Sequence, residues 1–191
     1  MKKTDRRMLI LDAVITLLAE RGLDGVTHRA VDEVAKIPQG STSYYYRRKP
    51  DLLNAACEYL AELLEKDCDE LQVGFSERAA SEGVDAAVEY VAEELADYTD
   101  GARHLFLARL ELTLAAARQD YLAGAGEKLA QAARRPIAFF LKLISGGRTD
   151  VPIETCAGLI DGISLMYATN QGPKPSKEQI ASIFRTVLGE K

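Results

Sequence analysis

The sequence predicts an all-α protein in which a small basic amino-terminal module precedes a larger acidic helical body. Three observations carry this expectation. Beyond Lys49 every substantial segment repeats its apolar residues at helical spacing, and none alternates as a strand does. Residues 1–50 hold 10 Lys and Arg against 6 Asp and Glu, a net of +4, whereas residues 51–191 hold 14 against 23, a net of −9. Residues 27–49, THRAVDEVAKIPQGSTSYYYRRK, place two short helical stretches around a tight turn and run into aromatic and basic side chains.

The first helix carries Ile10, Leu11, Ala13, Leu17 and Leu18 and leaves at Arg21-Gly22. Ahead of it, Lys2, Lys3, Arg6 and Arg7 are either an arm that meets a polyanion or a charged, disordered start. Thr27 is the N-cap expected of the second helix, because its hydroxyl can accept a first-turn N–H. Ala30, Val31, Val34 and Ala35 form the apolar stripe, and a solvated position with no role is the neutral alternative for Asp32. Ile37-Pro38 turns the chain, since proline disfavours helical geometry in the residue before it. From about Gln39 a second short helix brings Ser41, Thr42 and Ser43 forward, small polar side chains that let a helix enter a groove. Tyr44 and Tyr45 follow with Tyr46, and Arg47, Arg48 and Lys49 add charge where a phosphate backbone would pass. A helical hairpin with a solvated basic end is the plainer alternative for these residues.

A long helix at about 50–71 should join this module to the body through Leu53, Ala56, Leu60, Leu63 and Leu64, followed by a mobile stretch at 74–83. Helices are expected at about 84–99, 102–118 and 121–145, with Pro136 kinking or dividing the last and Gly146-Gly147 ending it. Residues 153–170 and 176–188 supply two more. Two of these helices are apolar nearly all round. Ile137, Phe140, Leu141 and Ile144 form one stripe with Phe139 and Leu143 beside it, and Ile160, Ile163, Leu165 and Met166, with Tyr167, another, among small Ala157, Gly158 and Gly162. Such helices need cover on both sides, from a second subunit in a four-helix interface or from the monomer's own core.

Composition excludes other classes. Hydrophobic residues make up 47% of the 191, ample for a packed soluble core. No run approaches the roughly 18 apolar residues of a membrane span, and MKKTDRRM lacks the apolar region of a secretory signal. Cys57, Cys68 and Cys156 are far apart and include no close metal-ligand pair, which favours reduced thiols and a cytoplasmic setting. A small buried hydrophobe is the expected role of each, with thiol sensing as the alternative. Zinc-ligand spacing, phosphate loop, nucleophile elbow and a Cys/His pair are all missing, and His28 and His104 lie in different segments. No catalytic residue, metal or cofactor is expected.

The first 50 to 55 residues resemble the DNA-binding domain of the TetR family of bacterial transcriptional repressors. The matching residues run in order through Ile10-Leu11, Ala13, Leu17-Leu18, Arg21-Gly22, Thr27, Arg29, Val31, Ala35, Gly40, Tyr44, Lys49 and Leu52. The pattern departs at Lys36, where a glycine is usual, so that a non-glycine residue should adopt a left-handed conformation at about 1 kcal/mol. It departs also at Asp32, usually small and apolar, and at Ser43, often aromatic. Domains are expected at 1–49 for DNA binding and 50–191 for effector binding and dimerisation. The resemblance implies that Thr27 and Arg29 hold phosphates, that Gln39, Ser41, Thr42 and Ser43 with Gly40 meet base edges, that Tyr44 and Tyr45 touch backbone, and that Lys49 grips a further phosphate. It implies a homodimer on a near-palindromic double-stranded operator, released by a small-molecule effector. Tyr90, His104, Phe106, Arg109, Leu110, Thr113 and Tyr121 are the candidate effector lining. A helical adaptor with a basic head, or an all-α enzyme, is the rival reading.

Overall fold

The computed structural model describes residues 3–148 and 150–189, with side chains from Asp5 onward. Lys2 and the side chain of Lys3, from the expected basic arm, lie outside what is described. The order of elements is α1 (Lys3–Gly25), α2 (His28–Val34), α3 (Ser41–Tyr45), α4 (Lys49–Glu82), α5 (Val84–Gly101), α6 (Arg103–Ala116), a 3-10 turn (Asp120–Leu122), α7 (Ala123–Ile144), α8 (Ile153–Ala168) and α9 (Lys177–Leu188). No strand occurs among the described residues. None of the described helices is long and apolar enough to cross a membrane.

The chain forms two compact units. The first comprises Met1–Leu63 with His104–Gln131. Its apolar side chains include Ile10, Val14, Leu17 and Leu18 of α1, Leu52, Leu53, Ala56 and Leu60 of α4, and Leu112 of α6, all buried. Fully burying one such leucine or isoleucine stabilises a fold by about 1.5–3 kcal/mol. α1 packs on α2 and α2 on α3. Polar contacts join the distant segments: the Tyr59 hydroxyl donates to Asp12 Oδ1 at 2.7 Å, and Asn54 Nδ2 donates to the Tyr121 carbonyl at 2.9 Å. At Gly126 the start of α7 approaches the end of α6 so closely that an added Cβ would lie 2.3 Å from the Ala116 Cβ.

The second unit comprises Leu64–Arg103 and Ala132–Lys191. α5 packs along α9 and, over a shorter length, against α8, and α8 packs on α9. Its larger core combines Ala92, Ala96, Ile137, Leu141, Cys156, Ile160, Ile180 and Phe184, and a smaller cluster joins Phe75, Ala87, Val91 and Phe140. Ser176 begins α9 as a true cap, its side chain accepting the Gln179 N–H, and Gly189 at φ 74° ends it.

Three expectations require correction. α4 continues to Glu82 through the stretch expected to be mobile. Gly74 is there because the Tyr90 ring and hydroxyl occupy the space of a side chain, Phe75 is buried, and Ser76 and Ser81 turn their hydroxyls back to the carbonyls of Gln72 and Glu77. Of the two outcomes expected at Pro136, division is excluded, because α7 runs through it. Burial of Ala132, Ile137, Phe140 and Leu141 on either side outweighs the roughly 3 kcal/mol that an interior proline costs.

The third correction concerns the apolar helices. Ile137, Leu141 and Ile160 lie in the larger core of their own subunit and Phe140 in the smaller cluster. Ile144 and Ile163 pack partly against that core, and the half-buried Tyr167 donates its hydroxyl to Asp100 Oδ1 at 2.8 Å. Leu165 and Met166 of the expected stripe face outward on α8, with Leu159 beside them, exposed at 42%, 50% and 47%, and Gly158 and Gly162 open onto free space. On α7 the large apolar side chain of Leu143 is exposed.

All three cysteines are free and buried. Burial pushes the Cys57 thiol up to about 12 and the Cys156 thiol up to about 11, and raises Cys68 as well. The neutral thiols therefore favour the folded state fully below the ordinary thiol value near 9, and that contribution is lost as pH climbs toward 11–12. Native protein at neutral pH should resist an aromatic disulfide reagent and release its thiols to it only in denaturant. Rapid labelling of the native form would give one of the cysteines a reactive role.

Candidate nucleic-acid interface

Local chemistry builds the head. Thr27 is extended (φ −127°, ψ 152°) and its hydroxyl accepts the Ala30 N–H at 3.1 Å, which starts α2. At the other end Lys36 N–H donates to the Glu33 carbonyl at 3.1 Å and Ile37 N–H to the Asp32 carbonyl at 3.0 Å. This is the Schellman arrangement, which requires a left-handed residue just past the helix. Lys36 supplies it at φ 52°, as its place in the sequence predicted, at a cost of about 1 kcal/mol relative to glycine. Gly40, at φ 89°, makes the second left-handed step and opens α3.

Between these turns stands a buried carboxylate. Asp32 is 1% exposed and Thr42 is fully buried. Asp32 Oδ2 accepts the Gly40 N–H at 2.7 Å, and Oδ1 accepts the Thr42 N–H at 2.8 Å and the Thr42 hydroxyl at 2.6 Å. Hydrogen bonds to a charged group contribute roughly 1.5–3 kcal/mol each, and a buried polar group without partners costs comparably. Burial and these three bonds exclude the neutral alternative of a solvated Asp32 without a role.

α3 turns one face outward. Gln39, Gly40, Ser43, Tyr44 and Arg47 are exposed, Tyr44 at 77%. Tyr45 meets Tyr44 edge to face at 5.2 Å, and the Arg7 guanidinium lies 6.0 Å from the Tyr45 ring centre. Arg6, Pro38, Gln39, Gly40, Ser41, Tyr44 and Tyr45 line a groove of about 400 Å³. Behind α3 the His28 ring Nε2 donates to the Tyr46 carbonyl at 2.7 Å, and burial raises the Tyr46 phenol above its usual range.

The expected site residues divide accordingly. Thr27 and Arg29 are exposed, and the Thr27 hydroxyl keeps its proton for an outside acceptor while its oxygen caps α2. Gln39 and Ser43 face outward, whereas Ser41 is half-buried and donates its hydroxyl to the Pro38 carbonyl at 2.5 Å. Thr42 faces inward to Asp32, so the structure removes it from base reading. Lys49 is half-buried, and its ammonium donates to the Leu23 carbonyl at 2.8 Å, where a cation complements the end of α1. The Leu23 N–H in turn donates to Glu111 Oε2 of α6 at 3.3 Å. Arg48 is taken by Asp51 in a 2.7 Å ion pair, which raises the guanidinium and lowers the carboxyl.

The candidate effector residues fall in both compact units. Tyr90 belongs to the second unit, beneath Arg78 at 5.5 Å, and His104, Phe106, Arg109, Leu110, Thr113 and Tyr121 belong to the first. Among those six, Phe106 is buried with the Arg109 guanidinium 5.0 Å from its ring, Leu110 is half-buried, and His104, Thr113 and Tyr121 are exposed. Sequence reasoning missed the structural parts played by Asp32 and Glu111. For Asp32 a signal existed: a lone carboxylate beside Val31 and Ala35, followed across a turn by a helix start rich in glycine and hydroxyls.

Residues 82–190 match the family described as tetracyclin repressor-like, C-terminal domain, more than half of the chain. The chain belongs to the TetR family. The match falls on the body, so it is independent of the head residues that first suggested the resemblance. It makes the protein a transcriptional regulator. A TetR family member from Streptomyces coelicolor A3 has the same fold with a TM-score of 0.70 at 24% identity, over 96% of this chain and 98% of that one. The multidrug binding protein EbrR, in its complex with ethidium, gives 0.67 at 24% identity, over 97% of this chain and 99% of its own. A TetR-family regulator from Rhodococcus sp. gives 0.66 at 22% identity, over 97% and 96%. No curated protein matches the sequence significantly.

Proposed function

We propose that this TetR-family regulator is a repressor that binds a near-palindromic operator as a homodimer and is released by a small molecule. The observation that carries the reading is the outward face of α3. Ser43 on that face and Gln39 just ahead of the helix offer side-chain hydrogen-bonding groups, and Tyr44 stands beside them. Arg29 and Arg47 are exposed on the same basic head, within reach of a phosphate backbone. A helix can meet base edges with such groups while cations settle it on the phosphates.

The stripe of α8 supports dimerisation. Leu159, Leu165 and Met166 are exposed, and Gly158 and Gly162 between them allow a second helix to approach closely. Two heads related by a two-fold axis would read half-sites about 34 Å apart. Release by an effector requires only that the ligand bind better to the form that does not fit DNA, and the coupling then acts equally in both directions.

Selection from a randomised duplex library, followed by anisotropy titrations at several salt concentrations, tests the reading. A preferred sequence with two-fold symmetry is expected. Ser43→Ala should lower the preference for it by about tenfold, within the roughly 1–3 kcal/mol of a base contact. Arg29→Ala should weaken binding to all sequences and reduce the salt slope by about 1. A wild-type protein that enriches no sequence over random DNA would return the chain to the adaptor reading.

A further inference from the structure

α3 has five residues, and its N-cap, Gly40, has no side chain to close the first turn. So short a helix neither satisfies its own leading N–H groups nor holds its own direction. Here the cap is delivered from another helix. The Asp32 carboxylate takes the Gly40 N–H on one oxygen and both Thr42 donors on the other, at 2.7, 2.8 and 2.6 Å. The Asp32 backbone carbonyl takes the Ile37 N–H at 3.0 Å, so one residue anchors both ends of the turn between α2 and α3. Asp32 is itself 1% exposed and cannot reach DNA.

We propose that Asp32 is a specificity-determining positioning residue: as a cap delivered from α2 it fixes the orientation of α3, and thereby which atoms of Gln39 and Ser43 meet base edges. The inference rests on the operator-reading function proposed above. Its chemistry calls for a carboxylate. Each oxygen accepts a backbone N–H, so asparagine, with the same shape, would turn an NH₂ against an N–H in either orientation. Thr42 is the second half of the device, because its hydroxyl holds Oδ1 while its N–H belongs to the first turn of α3.

The test uses full-length Asp32→Asn, Thr42→Val and Thr42→Ser with the duplex that the wild-type protein selects from a randomised library, and with random DNA of equal length. Thermal melting by circular dichroism accompanies each titration. Asp32→Asn should bind the selected duplex at least tenfold more weakly while its affinity for random DNA and its salt slope stay within twofold of wild type. Removing a negative charge from the head would by itself strengthen DNA binding, so such a loss cannot be electrostatic. Thr42→Val should fall between Asp32→Asn and wild type, and Thr42→Ser, which keeps the hydroxyl, should stay within twofold of wild type. An Asp32→Asn protein that keeps the wild-type preference overturns the proposal, as does one that loses selected and random DNA equally. If Asp32→Asn fails to fold, Thr42→Val decides, and an unaltered preference there overturns it. A wild-type protein that selects no duplex overturns the operator reading itself and the proposal with it.

Discussion

Leu159→Glu combined with Met166→Glu should convert the protein to monomers whose operator affinity is lower by about 10²–10⁴, the range that linking two binding modules contributes. Both side chains are about half exposed, lie seven residues apart on α8, and share a face with Gly158, Gly162 and Leu165. Facing a partner, each glutamate would bring an unpaired charge into a desolvated contact, which costs far more than the apolar contact it replaces. Facing water, each would be accommodated without loss, so the melting of the dissociated subunit at high dilution should change little. Sedimentation equilibrium and DNA titration on the same samples check both parts. A variant that stays dimeric moves the interface away from this face. Ile160 makes the contrast: it is 8% exposed in the core of its own subunit, so a charge there should unfold the second unit rather than separate two copies.

Gly126→Val should lower the melting temperature by several degrees, and Gly126→Ala should lower it less but in the same direction. The added Cβ would lie 2.3 Å from the Ala116 Cβ, and a methyl fixed to the backbone cannot rotate away. Two effects oppose each other in the alanine variant. Alanine is favoured over glycine in a helix by roughly 0.8–1 kcal/mol, whereas overpacking a well-filled contact costs typically 1–3 kcal/mol. At about 2–4 °C per kcal/mol for a chain of this size, a net fall means that the contact wins. Ala116→Gly in the Gly126→Ala background removes the opposing methyl and should recover most of the loss. A melting temperature that rises with Gly126→Ala alone would mean that α6 and α7 separate here at little cost.

Much of the fold was legible because helices are specified by short-range interactions. The Thr27 cap, the left-handed turn at Lys36 and the termini of α5, α6, α8 and α9 all depend on residues within a few positions of one another, and each lies within two residues of where the pattern placed it. The body was misread where packing overrode local signals. Gly74 suggested a loop and proved to be a contact with Tyr90, and Pro136, which suggested a kink or a division, is held inside an undivided α7 by its buried neighbours.

The candidate site was legible as a place and less so as a set of roles. Residues 39–47 do present a groove and an exposed polar face. Which side chains occupy that face could not be read from five helical residues, a stretch too short to show a period. Thr42 therefore looked like a base contact, and Lys49 looked free for a phosphate although its ammonium is bound to Leu23.

The sequence by itself determined that this protein is helical throughout, basic at its head and acidic in its body, with the turn of its α2–α3 pair set by Lys36 and Pro38. These are properties of composition and of neighbours along the chain. Only the tertiary structure decided that Asp32 closes the first turn of α3, and that α8 turns Ile160 inward and Met166 outward. A carboxylate eight to ten residues from its donors finds them only when two helices have packed, and a helix apolar on every side leaves its inner face to be chosen by the surface it meets.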